Sequence, residues 1–268
     1  MKGGLFCLSP FLIFLFFSCV FILPARADST HLEITLQKMQ MRRGDWTGLK
    51  ADVSFEFLIP EGKAAHCRGE LAYQRLQEKI LLKGMNDAGE ILFVFKTSDR
   101  DFEIFFPKEE KSYRGNIFEL QDSPNIESYL RPLDLYRALK PMIFSPESAE
   151  IESQDDEGKH LVVHSENQAA SPLRRLTVTE EGDVPKEIYY SPEGKLEVNI
   201  QRFEFKTIHP AMDPKAAIVF PTEISLESPD RHITVLMTFE RLKFLPDLAP
   251  EDLDYTPPEG TGTTSLNS

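Results

Sequence analysis

The sequence predicts a mainly β protein of the α+β type, built on a strongly curved antiparallel sheet that forms an unclosed half-barrel. Three observations support this fold class. Apolar and polar side chains alternate in many short segments, turn sequences rich in Gly, Pro and Asp separate those segments, and two segments have helical spacing instead. Because a sheet with one apolar face must be covered, we expect an N-terminal helix and an inserted helix to pack on the concave face.

The first 27 residues have the features of an export signal. Lys2 supplies a positive charge, residues 5–23 are almost wholly apolar, and the chain then reads PARA, the small-x-small pattern of a signal peptidase site. This segment resembles a bacterial leader, so we predict a signal peptide over residues 1–27, cleavage after Ala27 and a periplasmic location. Two membrane-anchored alternatives stay open: lipidation at Cys19, and an uncleaved leader of near-spanning length.

The remaining 241 residues are acidic and contain one cysteine. They carry 28 basic and 43 acidic side chains, a net charge of −15. That charge excludes a general nucleic-acid binder, which needs a basic face to neutralise phosphates. Cys67 has no second cysteine to form a disulfide with, so the hydrophobic core must hold the mature fold.

Period-two alternation is clearest over residues 46–57, where every second side chain from Leu49 to Phe57 is apolar. Short turns between the segments predict antiparallel neighbours and ten or eleven strands in all. The apolar parity changes between Ile200 and Phe203, which predicts a bulge in that strand. The same alternation covers residues 67–73, 91–95, 102–106, 220–226 and 233–239.

The N-terminal helix is predicted from the spacing of Leu32, Leu36 and Met39, with Gly44 as its end. The alternation of Leu32, Ile34 and Leu36 also fits a strand, so that alternative stays open.

The inserted helix is predicted over residues 128–139. Pro132 suits its first turn, Leu135 and Leu139 share one face, and Pro141 stops it. Beyond residue 260 the chain is small and polar, and we expect residues 261–268 to be a flexible C-terminal tail.

Three short motifs carry a resemblance to a known family. Residues 69–75 read GELAYQR, residues 105–115 run from FFP to YRG, and the chain closes with LP at residues 245–246 and YTPPEG at 255–260. With the order of helix, β-meander, inserted helix and final strands, they resemble the LolA/LolB-like superfamily of periplasmic lipoprotein carriers and their relatives. The resemblance implies one LolA/LolB-like lipid-binding domain over residues 28–260. Leu76 stands where the family usually has a proline.

The resemblance implies a carrier that holds the acyl chains of a lipid or lipoprotein in an apolar cavity and passes them across the cell envelope. Its expected partners are the acylated cargo, an inner-membrane donor and an outer-membrane acceptor, and we expect a monomer. The net charge of −15 fits poorly with docking on an anionic membrane, so the cargo class stays open.

A curved sheet with a helical lid predicts where such a cavity lies. Arg75 is the polar group expected to contact the lid or to orient the cargo. The predicted apolar wall comprises Val53, Phe55, Leu71, Tyr73, Phe93, Phe95, Leu135 and Leu139.

We predict no enzymatic activity, no cofactor and no metal site. The chain has no G-x-S-x-G elbow, no phosphate-binding glycine loop and no H-E-x-x-H motif. His160 and His164 lie in a predicted strand, where they would sit roughly 13 Å apart. The alternative function is an envelope sensor or interaction protein that uses the same cavity to detect lipids or mislocalised lipoproteins.

Overall fold

The structure is a computed structural model that describes residues 25–58, 64–117, 132–139, 148–163, 174–191 and 193–266. Within these residues one sheet of fourteen strands is accompanied by two α-helices. The helices are α1 (Ala25–Arg43) and α2 (Pro132–Leu139). The strands are β1 (Gly48–Leu58), β2 (Ala64–Gln74), β3 (Lys79–Met85), β4 (Ile91–Ser98), β5 (Asp101–Phe106), β6 (Lys111–Asn116), β7 (Ala149–Asp155), β8 (Gly158–Val163), β9 (Arg174–Val178), β10 (Lys186–Tyr190), β11 (Leu196–Ile208), β12 (Ile218–Ser228), β13 (Ile233–Leu245) and β14 (Gly262–Ser265).

The sheet is a single open layer. Its strand order is β14-β6-β5-β4-β3-β2-β1-β13-β12-β11-β10-β9-β8-β7. Consecutive strands pair antiparallel from β1 to β6 and from β7 to β13, while β1 beside β13 and β6 beside β14 are pairings between strands distant in the sequence. The sheet does not close, because β14 and β7 are its two edges. The predicted half-barrel class is therefore confirmed.

Three corrections to the sequence predictions concern the sheet. β14 pairs parallel to β6, so the sheet is mixed rather than wholly antiparallel. β14 also lies within residues 261–268, where we expected a tail, and there the backbone of Gly262 donates a hydrogen bond to the Glu110 carbonyl at 3.0 Å. The strand number exceeds the ten or eleven expected.

One face of the sheet, here called the inner face, carries the main core. Aligned cross-strand positions form a continuous apolar row from β2 to β5, in which Leu71 faces Leu82, Leu82 faces Phe95 and Phe95 faces Ile104. α2 packs on this row through Leu135, and the same core continues across β1, β13 and β12. The inserted helix therefore covers the apolar face as predicted, and it begins at Pro132.

α1 covers the same face at the other end of the sheet. Leu32 and Met39 pack on Leu161, Val178 and Val184, which form a second apolar cluster. The N-terminal segment is thus a helix, as predicted, and not a strand. The helix begins at Ala25, several residues before Leu32, where the apolar spacing starts. In the described chain no helix has the length and apolar character to cross a membrane.

The opposite, outer face is covered locally by the segment after β13. Leu248 and Tyr255 pack against an apolar patch that includes Ala72, Leu81 and Phe105. Ion pairs at 2.6 Å between Lys50 and Asp252, and between Lys96 and Asp254, lie at its margin. The final segment up to Tyr255 therefore covers part of the outer face.

Candidate functional site

A cavity of about 90 Å³ lies on the inner face, between the C-terminal end of α1, α2, the β9–β10 loop at residues 179–185, and strands β11 and β12. Its wall is mostly apolar, and its polar side chains are three arginines and one aspartate. The apolar lining residues are Met39, Trp46, Ala138, Leu139, Val184, Phe205, Val219, Phe220, Pro221 and Ile224. The charged lining residues are Arg42, Arg43, Asp183 and Arg202.

The β9–β10 loop holds α1 over this cavity. Arg42 donates two hydrogen bonds to the Asp183 carboxylate, at 3.0 and 2.6 Å, and the Lys38 ammonium donates one to the Glu180 carbonyl at 2.7 Å. Gly182 has a φ of +97°, and a Cβ there would lie 2.6 Å from the Lys38 carbonyl carbon. A glycine is therefore needed where the loop meets the helix.

A buried ion cluster, here called the Glu187 cluster, forms one side of the cavity. Glu187 is fully buried, forms ion pairs with Arg174 and Arg202, and accepts a hydrogen bond from the Tyr189 hydroxyl at 2.6 Å. Burial opposes ionisation of Glu187, but the attraction of Arg174 and Arg202 and the hydrogen bonds from Tyr189 and Arg202 outweigh it. The pKa of Glu187 is therefore held below its ordinary value, and the carboxylate is charged at neutral pH.

Arg202 links this cluster to the cavity. Its side chain is 6% exposed, and its Nη2 lies 2.9 Å from the Glu187 carboxylate. Its Nη1 is buried and has no hydrogen-bond partner within the described part of the chain. One face of the guanidinium is thus held by Glu187 while another donor stays open.

Arg43, the last residue of α1, adds a second, partly buried positive charge. Burial, together with the positive charges of Arg75 and Arg174, lowers the pKa of Arg43 to about 10. The guanidinium stays protonated at neutral pH, and a negative charge placed beside it would be stabilised.

α2 is held by its own polar contacts. Arg137 pairs with Glu197 at 3.1 Å and lies over the Tyr189 ring, with its Cζ 4.2 Å from the ring centroid. Asp134 is buried and accepts a hydrogen bond from the Ser228 hydroxyl at 3.2 Å. The lid helix therefore binds the sheet through polar groups at two points as well as through its apolar face.

The residues predicted to form an apolar wall all lie in or against the main core. Phe55 is wholly buried, and its ring contacts those of Phe57 and Phe93. Leu139, on α2, is the predicted wall residue that lines the cavity, so contact of the others with a ligand stays a prediction. In the core are Val53, Phe55, Leu71, Tyr73, Phe95 and Leu135, with Phe93 and Leu139 partly buried against it.

Arg75 contacts the segment that follows α1 rather than α2. Its Nη1 donates to the carbonyl oxygens of Gly44 and Trp46, at 3.2 and 3.3 Å, and its guanidinium lies 5.3 Å from the Trp46 ring centroid. Arg75 thus fixes the loop that ends beside the cavity, and its predicted role in orienting cargo stays a prediction.

Sequence reasoning missed the arginines and Glu187. A signal for Arg202 was present, because it continues the buried parity of Val198 and Ile200 in β11 and is therefore a charge on an apolar face. The bulge predicted between Ile200 and Phe203 is absent from the pairing: β11 and β12 keep one register from Asn199 to Ile208, and Phe203 is 42% exposed. Glu204 has a φ of +51°, and beyond it Phe205 lines the cavity.

Comparison with known proteins shows similarity in fold. A LolA superfamily protein from Nitrosomonas europaea aligns at 14% identity and a TM-score of 0.59, covering 84% of this chain and 97% of that one. A domain described as a putative outer membrane lipoprotein-sorting protein from Vibrio parahaemolyticus aligns at 12% identity and a TM-score of 0.60, covering 85% of this chain and 97% of that one. A DUF1329 family protein from Desulfovibrio piger aligns at 12% identity and a TM-score of 0.61, covering 84% of this chain and 96% of that one. No family model and no curated protein matches the chain.

These likenesses span most of this chain and nearly all of each solved structure. The chain therefore has a LolA-like fold, and the resemblance noted in the sequence is confirmed at the level of the fold. Because a fold hosts more than one function, the function has to be argued from the cavity itself.

Proposed function

We propose that the protein is a periplasmic carrier that binds a lipid, or the acyl chains of a lipoprotein, between its helices and the inner face of its sheet. The observation that carries this proposal is the apolar cavity beneath α1 and α2. Its likeness to solved structures of the LolA superfamily supports the same function. The binding cycle requires no catalytic step, no cofactor and no metal.

The size of the cavity defines what binding must involve. At about 90 Å³ it is smaller than the roughly 300–1,000 Å³ typical of ligand pockets, so the carrier proposal requires a second, more open state that takes up the cargo. Acyl chains enter only if α1 or α2 moves off the inner face. Each buried methylene contributes about 0.8 kcal/mol, so a chain of a dozen carbons offsets the loss of several helix contacts.

Release then follows from affinity alone. A donor in the inner membrane and an acceptor in the outer membrane shift the balance between closed and open states only through their different affinities for cargo. The carrier proposal therefore predicts exchange of cargo without an energy source in the periplasm.

The direct test uses residues 28–268 purified from a bacterial periplasm without detergent. Native mass spectrometry and a lipid extract should reveal a bound lipid or acylated peptide, and a fluorescent acyl probe should bind once that cargo is removed. A bare protein that also fails to bind the probe would mean that side chains already fill the inner face, and the proposal would fall.

A pair of variants locates the binding site. Leu139→Trp places a large ring in the cavity and should lower the affinity for the acyl probe at least tenfold. Leu76→Trp, at a site that is 77% exposed, should leave that affinity unchanged. Equal probe affinity in both variants would place the site elsewhere. Probe binding with no transfer between donor and acceptor vesicles would favour the sensor alternative over a carrier.

A further inference from the structure

The charge around the cavity is opposite to that of the chain. Residues 28–268 carry a net charge of −15, yet the charged side chains that line the cavity are Arg42, Arg43 and Arg202 against Asp183 alone. Arg42 and Asp183 form an ion pair with each other. The lining therefore holds more positive than negative side chains.

Arg202 is placed to donate a hydrogen bond to an anion in the cavity. Burying a guanidinium is costly unless its donors are satisfied, and Glu187 pairs with Nη2 while it also pairs with Arg174. Glu187 is thus shared by two arginines. The buried Nη1 has no hydrogen-bond partner among the described residues, which leaves one donor for a group that enters the cavity.

Arg43 reinforces this excess from the helix side. Its guanidinium lies close enough to Arg75 and Arg174 for their positive charges to act against its own. A negatively charged oxygen in the cavity relieves that repulsion and pairs with Arg202 in the same place.

The apolar wall beside these arginines defines the rest of the ligand. Met39 and Leu139 come from the two helices, and Phe205, Phe220 and Ile224 come from the sheet. A free phosphate or carboxylate ion leaves this wall unused, and a neutral chain leaves the Nη1 donor of Arg202 without an acceptor. An acidic head group on an aliphatic chain satisfies both.

We infer that the cargo is an anionic amphiphile, whose oxyanion head group is bound by Arg202 and Arg43 while its chain lies against the apolar wall of the cavity. This inference rests on the proposed lipid-binding function and specifies the class of lipid. The shared chemistry is a carboxylate or phosphate oxygen.

The test compares chain-matched probes on the delipidated protein, residues 28–268, by isothermal titration calorimetry at low ionic strength. Dodecanoate and dodecyl phosphate should bind at least tenfold more tightly than dodecanol, because a charge-assisted hydrogen bond is lost with the alcohol. Inorganic phosphate and acetate, which have no chain, should bind much more weakly than either acidic probe. The two acidic probes distinguish a carboxylate site from a phosphate site.

Two variants connect the preference to the arginines. Arg202→Met should lower the affinity for dodecanoate about tenfold or more and change the affinity for dodecanol less than threefold. Arg202→Lys should keep part of the preference for dodecanoate over dodecanol. The matched control is Arg175→Met, which removes a surface arginine paired with Glu152 and should leave both affinities unchanged. If Arg202→Met fails to fold, Arg43→Met and the wild-type probe series decide the question.

Each outcome separates the inference from the function on which it rests. If dodecanol binds the wild-type protein as tightly as dodecanoate, the head-group inference is wrong and the carrier proposal stands. If none of the amphiphiles binds, the proposed function itself fails. If inorganic phosphate binds as tightly as dodecyl phosphate, the arginines form a free-anion site and the amphiphile inference is overturned.

Discussion

The Glu187 cluster gives the sharpest prediction about stability. Glu187→Gln keeps the side-chain shape and removes the charge, so it leaves Arg174 and Arg202 as buried guanidinium groups without their carboxylate. Both arginines are nearly buried, with 15% and 6% of their side chains exposed. Solvent therefore cannot replace the lost pairing.

Removing one partner of a buried ion pair typically costs about 3–5 kcal/mol. With an m value of about 3 kcal/mol/M in urea, the unfolding midpoint should fall by about 1–1.7 M. The assay is urea unfolding followed by the fluorescence of Trp46, the single tryptophan of the chain, which is buried in the main core. An isosteric exchange creates no cavity, so the shift measures the loss of charge.

Glu152→Gln is the matched control. Glu152 pairs with Arg175 at 2.8 Å, but 43% of each side chain is exposed, so this pair is expected to contribute about 0–1 kcal/mol. If Glu187→Gln and Glu152→Gln shift the midpoint equally, the Glu187 cluster does not stabilise the fold electrostatically and the reasoning is refuted.

The pH dependence of the same variant has a definite sign. The folded pKa of Glu187 lies below its ordinary value, which is about 4.3 in an unfolded chain. The stabilisation is therefore complete above about pH 4.5 and is lost as the pH falls through the folded pKa. The wild-type midpoint should drop in acid more steeply than that of Glu187→Gln, and parallel profiles would contradict the assignment.

Two further predictions concern the α1 contact and the thiol. Gly182→Ala should lower the free energy of unfolding by about 2–4 kcal/mol, because alanine is strained at a positive φ and its Cβ would clash with the Lys38 backbone. The control is Gly89→Ala, at a φ of +82° with nothing within 4 Å of the added Cβ, which should lower it by about 1 kcal/mol. Both are measured by the same thermal unfolding assay. Equal losses would show that the packing of the loop on α1 is unimportant. Cys67 is buried and burial raises its pKa to about 11, so a thiol reagent at pH 8 should modify it only at the rate of unfolding. Immediate labelling of the folded protein would overturn that assignment.

How far the sequence predicted this fold depends on how each element is buried. β1 and β13 are central strands with one apolar face, so their alternation is strong and both were predicted. β7 and β14 are edge strands with few buried side chains, and they gave no alternation to detect. α2 was predicted over residues 128–139 with Pro132 in its first turn, a position that proline favours, and Pro132–Leu139 is helical.

The candidate site was less predictable than the fold. The strand residues of the predicted wall share one face of the sheet, since parity depends only on position along a strand, and their contact with a ligand stays a prediction. Which of those residues border empty space depends on how the helices pack over them. Phe55 and Leu139 have the same apolar character in the sequence, yet Leu139 lines the cavity and Phe55 is wholly buried in the core.

The sequence by itself determined the fold class, the two helices and the apolar face of the sheet, because each follows from periodicity within a single segment. The tertiary structure decided where the positive charges gather. Arg43 lies at the end of α1, Arg174 in β9 and Arg202 in β11. They approach one another through pairing of β9, β10 and β11 and the packing of α1 across them. An electrostatic site assembled from distant segments has no local period, and so only the folded chain reveals it.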